Sequence, residues 1–320
     1  MNIALRCMTV ITLTWPLASA TADDASQDDV QPGSVPLAFT LDDLGTTGSE
    51  PVEKTAKALL QAGVPEAYGF VNGSQVHDDP DNEQSVRIWV QSGYQIGNHT
   101  FSHEGLHEVS AEFYENDIVA NEAVLKAFAA PGSDWHWFRY PHLSEGDTKE
   151  KKQAVREFLK RENYRVAQVT VDYPDWLFDA AYGRCLKQGK GDRTEWLKAM
   201  YLDKAIRSFV EAQQQSRALF GRDIPQIFLV HYSGFTAEVM PDLLAGLKRH
   251  GARFITLEEA QSDPVFDVDP EVVHPSGENF LAMHALARAP VSQDSGPTHV
   301  STWKAKVKEA CAEETVRVRP

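Results

Sequence analysis

The stretch Gly97–His107, GNHTFSHEGLH, sets His99, His103 and His107 four residues apart, beside Asn98 and the hydroxyls of Thr100 and Ser102. Imidazoles at i and i+4 can aim two nitrogens at one divalent cation, although the same spacing also arises by accident on exposed helices. Other chemistry-bearing residues sit at the ends of apolar runs: Asp42-Asp43 after "AFTL", Arg139 in "WFRYPH", Asp175 in "VTVDYPDW" and His231 closing "IFLVH". Singly, each has a plain reading. A paired aspartate commonly caps a helix, an arginine pairs with a surface carboxylate, and Trp176 or His231 fills core. Together, two imidazoles, two carboxylates, an arginine, and a further aspartate and histidine make the inventory of a metal-dependent hydrolase.

These residues need a frame that gathers them. Strand-like runs are expected at Val35–Leu41, Ala67–Val71, Tyr94–Gly97, Trp137–Tyr140, Tyr164–Val171, Ile227–His231 and Arg253–Thr256. Helical patterns alternate with them at about Val52–Ala62, Glu83–Gln91, Ala111–Ala129, Lys149–Glu162, Thr194–Phe220 and Ala237–His250, several closed by glycine. Such alternation predicts a parallel α/β barrel or a doubly wound sheet, in which the carboxyl ends of the strands share one face. The five chemical motifs fall at those ends. "AYGRCLKQGKGDRTEW" reads as a loop with short helical pieces, and the proline-bearing tail after Ser262 as an irregular wrap with a short helix near Trp303–Ala312.

The order Thr-Leu-Asp-Asp, His-Thr-Phe-Ser-His, Arg-Tyr-Pro, Asp-Tyr-Pro-Asp-Trp and Leu-Val-His resembles the polysaccharide deacetylase family, carbohydrate esterase family 4, over roughly residues 35–260. The resemblance implies an α/β fold, a distorted seven-stranded (β/α) barrel, here with an irregular C-terminal extension. It implies removal of acetyl groups from N-acetylated sugars or O-acetylated xylan by a divalent metal, usually zinc, with Co2+, Ni2+ or Mn2+ as alternatives. By the same resemblance Asp42 is the general base, and Asp43, His99 and His103 hold the metal. Arg139 orients the base, and Asp175 orients the general acid His231. Tyr140, His142, Trp176 and Leu229 fall in the substrate-binding group, with Trp176 and Leu229 lining the acetyl pocket and the His142 N–H facing the oxyanion.

Two positions depart from the family pattern. His142 stands where an aromatic residue usually follows the Arg-x-Pro proline, and Leu41 stands where phenylalanine is common. His107, one turn beyond His103, reads as an outer or solvated residue, with replacement of Asp43 as the third ligand as the other possibility. Trp135 and Trp137 alternate along their strand, so one is a candidate stacking platform and both are candidates for packing. The Asn98 amide has two readings, supporting a ligand or holding a turn.

Composition bounds the rest. Arg6 followed by the apolar run Cys7–Ala18 and an A-x-A pattern reads as a cleaved signal peptide over residues 1–22, and residues 23–34 as a mobile acidic leader. Residues 35–262 then form the catalytic barrel and 263–320 an extension wrapping it. Secreted or periplasmic localisation follows, with no membrane association after cleavage. The net charge of −15 excludes nucleic acid and anionic lipid as natural partners. An acetylated carbohydrate is the expected partner, and oligomeric state is not legible. Cys185 and Cys311 remain after cleavage, either as one disulfide clamping the tail or as two thiols. Rival readings are a cyclic amide or ureide hydrolase of the same superfamily, or a carbohydrate-binding relative without catalysis.

Overall fold

The computed structural model describes residues 34–288 and 302–312. The expected signal peptide and nearly all of the expected leader therefore lie outside the described residues, as do two parts of the tail. Strands β1 (Val35–Leu44), β2 (Ala67–Val71), β3 (Gln95–Asn98), β4 (Trp137–Phe138), β5 (Arg165–Val166), β6 (Gln226–His231) and β7 (Ala252–Ile255) form one seven-stranded sheet. Every pairing is parallel, in the order β5-β4-β3-β2-β1-β6, with β7 also on β1. After β5 the chain returns to β6 through a Val171–Phe228 bridge, so the sheet curls into the distorted barrel expected.

The pleat of β1 explains why its polar residues point where they do. Leu37, Phe39 and Leu41 join the large outer core beneath the helices, whereas Ala38 joins a smaller cluster with Phe70, Trp137 and Ile227. Side chains alternate across a strand, so Thr40 and Asp42 follow Ala38 into the interior of the curl. Both faces of β1 are buried, as a parallel strand covered by helices requires.

The covering helices are α1 (Ser49–Gln61), α2 (Gly73–Asp78), α3 (Pro80–Gln91), α4 (Ala111–Phe128), α5 (Lys149–Arg161), α6 (Trp176–Lys187), α7 (Gly191–Phe220), α8 (Gly234–Arg249) and α9 (Leu257–Gln261). Helix α6 corrects the loop expected there. Gly183 weakens the local helical signal, but Leu177, Phe178, Ala181 and Cys185 recur on one face and are buried, so tertiary packing sustains the helix. Strands β4 and β5 are shorter than expected, because Pro141 and the irregular chain after Val166 end their ladders.

The tail is more regular than a simple wrap. It carries α10 (Phe280–Arg288), docked on α7, and α11 (Thr302–Glu309), docked on α6. Cys185 and Cys311 are joined by a disulfide, with Cα atoms 5.2 Å apart. Arg184 donates to the carbonyls of Lys308 and Ala310, and Gln188 donates to that of Cys311, so the same helix grips the end of α11 from both sides. No helix among the described residues is long and apolar enough to cross a membrane.

Candidate active site

The carboxyl end of β1 delivers two neighbouring aspartates in different directions. Asp42 is 3% exposed and still in register with the sheet, paired with His231 across β1 and β6. Asp43 turns to φ 66°, a left-handed conformation that redirects its side chain to the cleft. Its Oδ1 lies 3.2 Å from His103 Nε2 and 3.7 Å from His99 Nε2.

The two histidines are held by the backbone around them. His99 Nδ1–H donates to the Arg139 carbonyl at 2.8 Å; a carbonyl only accepts, so the proton sits on Nδ1 and the Nε2 lone pair faces the aspartates. Thr100 and His103 both adopt positive φ, and the turn that contains them is tied by Thr100 Oγ1 accepting the His103 N–H. Buried Asn98 stabilises the same turn. Its Oδ1 accepts from the Thr100 N–H and from Asn121, while its Nδ2 donates to the Ile118 carbonyl and to Tyr164. Of the two roles open to Asn98, the structure thus bears the turn.

Among the described residues, Asp43, His99 and His103 form the one group whose donor atoms lie close enough for a shared metal ion, all within 4.8 Å of one another. The fit is chemical as well as geometric. Asp43 Oδ1 is buried without a hydrogen-bond partner, yet faces two imidazole nitrogens. Tetrahedral zinc–ligand distances of about 2.0–2.2 Å put ligand atoms roughly 3.3–3.6 Å apart, close to the spacings seen.

Two charge pairs flank this group. Arg139 is 1% exposed, and its guanidinium donates to Asp42 Oδ1 at 2.9 Å, to Thr40 Oγ1 at 3.1 Å and to the Ala167 carbonyl at 2.9 Å. Burial pushes the Asp42 carboxyl up to about 6, against the pull of Arg139 and His231. On the opposite side His231 Nδ1 meets Asp175 Oδ1 at 2.7 Å, and Asp175 Oδ2 accepts the His231 backbone N–H at 2.7 Å. Burial opposes the imidazolium, but the Asp175 charge and hydrogen bond outweigh it and push His231 up to about 10.

These residues converge on a cleft of about 550 Å³ that is also lined by His142, Trp176 and Leu229. Trp176 leaves 58% of its surface exposed at the rim, while Leu229 is buried. Tyr140 is not in the cleft: its ring is 2% exposed and packs edge-on against Phe138 and stacked with Tyr114. His142 sits at φ 57°, its ring 4.8 Å from that of His103. In its turn the Leu143 and Ser144 amides donate to Tyr140 and Pro141, whereas the His142 N–H has no acceptor among the described residues. His107 stands outside the metal group, its Nδ1 2.9 Å from Ser144 Oγ. Neither Trp135 nor Trp137 lines the cleft; Trp135 stacks on His136, and Trp137 lies under the Arg165 guanidinium.

Three cleft residues carry no role in the sequence reading. Asp172 opens the Asp-Tyr-Pro-Asp-Trp motif but stands three residues before Asp175, which takes the role there. Leu143 follows His142 in a strained turn, and Lys304 arrives from α11, some 260 residues from Asp42 along the chain. Only Asp172 left a trace in the sequence, as a polar residue ending a β-rich run.

Residues 29–158 match the polysaccharide deacetylase family model. The chain is 24% identical over 223 residues to a peptidoglycan-N-acetylglucosamine deacetylase of Bacillus cereus, a match covering 69% of this chain and 66% of that protein. The fold is shared with a CE4 family pseudoenzyme of Bacillus anthracis (17% identity, TM-score 0.50, 72% of this chain and 66% of that one). A mutant CE4 pseudoenzyme gives a TM-score of 0.51 at 17% identity, covering 72% of this chain and 68% of that one. The polysaccharide deacetylase match thus lies over residues 29–158, and the chain spans just under two thirds of the length of the Bacillus cereus relative.

Proposed function

We propose that this chain is a metal-dependent deacetylase, working outside the cytoplasm, that hydrolyses acetyl groups, N-acetyl foremost, from a carbohydrate polymer or oligosaccharide. The observation that carries this reading is that Asp42, held by Arg139, and His231, held by Asp175, line one cleft with the Asp43–His99–His103 group. The name of the Bacillus cereus relative favours N-acetylglucosamine of peptidoglycan as the substrate.

Asp43, His99 and His103 would hold the cation, zinc being the metal their donor set suits best. When bound, it supplies a Lewis acid for the acetyl carbonyl and the attacking water. The chain's own groups do the rest. Asp42 Oδ1 is fixed by Arg139, leaving Oδ2 to take the proton of the attacking water, and a carboxylate raised to about 6 is a stronger base than an ordinary aspartate. The free His142 N–H offers a donor to the developing oxyanion. His231, held protonated by Asp175, gives its proton to the departing nitrogen as the carbon–nitrogen bond breaks, releasing acetate and a free amine. Leu229 supplies an apolar wall for the acetyl methyl and Trp176 a face for a sugar ring.

The pseudoenzyme neighbours make an inactive role the natural alternative. Against it stands the filled state of every polar position this chemistry uses, each with a partner that orients it. Acetate release from chitooligosaccharides, peptidoglycan, poly-N-acetylglucosamine and acetylxylan, with zinc restored, tests the reading. Release from none of them overturns it.

A further inference from the structure

The tail helix α11 brings a cation into the cleft that the hydrolytic chemistry does not use. Lys304 is half-buried and lines the same cavity as Asp42, His231 and Trp176. Its backbone is not free to wander. Val307 is fully buried, Trp303 stacks on Phe178, and the end of α11 is fixed to α6 by the Cys185–Cys311 bond and by Arg184.

Lys304 also has no carboxylate within ion-pair distance among the described residues. The carboxylates its charge reaches are Asp172 and Glu278, both held towards their neutral forms by burial, and Asp172 is engaged by Asn279 Nδ2 at 2.5 Å. An ammonium kept half out of water, on an anchored helix, near Asp172 and Glu278 but ion-paired with neither, is placed to receive an anion from elsewhere. The nearby Trp176 face gives a sugar ring its seat, so the anion belongs to a substituent of the bound glycan.

We infer that Lys304 is a specificity-determining residue that binds a carboxylate carried by the glycan close to the acetylated sugar. The proposal rests on the deacetylase reading above and refines its substrate class from acetylated carbohydrate to acidic acetylated carbohydrate.

The test uses one matched pair of substrates: a peptidoglycan tetrasaccharide with free lactyl carboxylates, and the same molecule with those carboxylates converted to methyl amides. Acetate release and calorimetric binding are measured for the wild type, Lys304→Ala and Lys304→Arg. Lys304→Ala is expected to raise KM for the carboxylate form about tenfold more than for the amide form, with kcat moving little, and Lys304→Arg to restore most of the preference. Equal changes on both forms, or none on either, overturn the inference and reduce Lys304 to a counter-charge for Asp172. Carboxylate-selective binding that depends on Lys304, without acetate release, would instead uphold the inference and remove the hydrolase reading.

Discussion

Asp42 and His231 are register partners on neighbouring parallel strands, β1 and β6, and the Tyr232 N–H donates to the Asp42 carbonyl just beyond them. The proposed base and acid are thereby fixed relative to each other by the sheet, and each is oriented from outside by a buried partner, Arg139 and Asp175. The metal group sits one residue further along, where β1 abandons its regular conformation at Asp43.

That break in β1 separates the roles of adjacent aspartates. Asp42→Asn keeps an oxygen for Arg139 and should retain zinc near the wild-type level, while losing turnover by about 10²–10⁴-fold for want of a base. Asp43→Ala should lose zinc on dialysis, since two imidazoles hold it poorly. Elemental analysis and acetate release check both. The opposite pattern would exchange the two assignments, and indifference at both positions would end the hydrolase reading.

His231→Ala should lose about 10²–10⁴-fold on acetamido sugars and much less on activated aryl acetates, whose leaving groups need no proton. Asp175→Asn removes the charge that lifts His231 to about 10. Its imidazole should then lose the proton at lower pH, moving the alkaline limb of the amide-hydrolysis profile downwards. An unmoved limb would show that another group titrates there.

Cys185→Ser paired with Cys311→Ser should cost about 2–5 kcal/mol in denaturant unfolding, as the bond closes a loop across 126 residues of sequence. The proposed catalytic groups lie on the barrel, so turnover of neutral chitooligosaccharide should persist at temperatures where the fold holds. Preference for the carboxylate-bearing substrate should fall, because α11 then keeps only its non-covalent grip. Unchanged preference would mean that packing of Trp303 and Val307 suffices to place Lys304.

A histidine outside the site should contribute to the loss of stability below neutrality. His284 on α10 is 5% exposed, between the rings of Phe280 and Phe220. Burial, aided by Arg288 and Lys152, holds it below its usual 6.5, while the Val268 carbonyl and Asp269 pull the other way. The unfolded chain therefore takes up a proton near 6.5 that the folded chain refuses. Stability is complete above that pH and falls as the pH drops towards the folded value. The melting temperature should decline from pH 7 to pH 5, and His284→Leu should flatten that decline. Equal slopes would place the acid sensitivity elsewhere.

The sequence was most informative where the physics is local. Strands β1 and β6 are mostly apolar runs, and Asp42, Asp43 and His231 at their ends stand out for that reason. Helix α6 was not legible, because Gly183 masks a helix that exists through burial of Phe178 and Cys185 against distant neighbours. Nor could Tyr140 be told from a cleft residue, since one residue's difference in a turn decides whether a ring faces substrate or Phe138. The positive φ angles at Asp43, Thr100, His103 and His142 have no glycine to announce them. Lys304 depends on the docking of a tail, which no local pattern records.

The register of β1 has a consequence for how such a protein can change over generations. Val35–Ala38 pair with β7, Leu37–Asp42 with β6, and the stretch from Phe39 onward with β2. Because side chains alternate with a period of two, inserting or deleting a single residue ahead of Asp42 would turn the base outward and break three ladders at once. Helix α11 takes part in no ladder of the sheet, and its main packing is against α6. Lineages can therefore vary α11 more freely than β1, while the candidate site stays locked in the sheet.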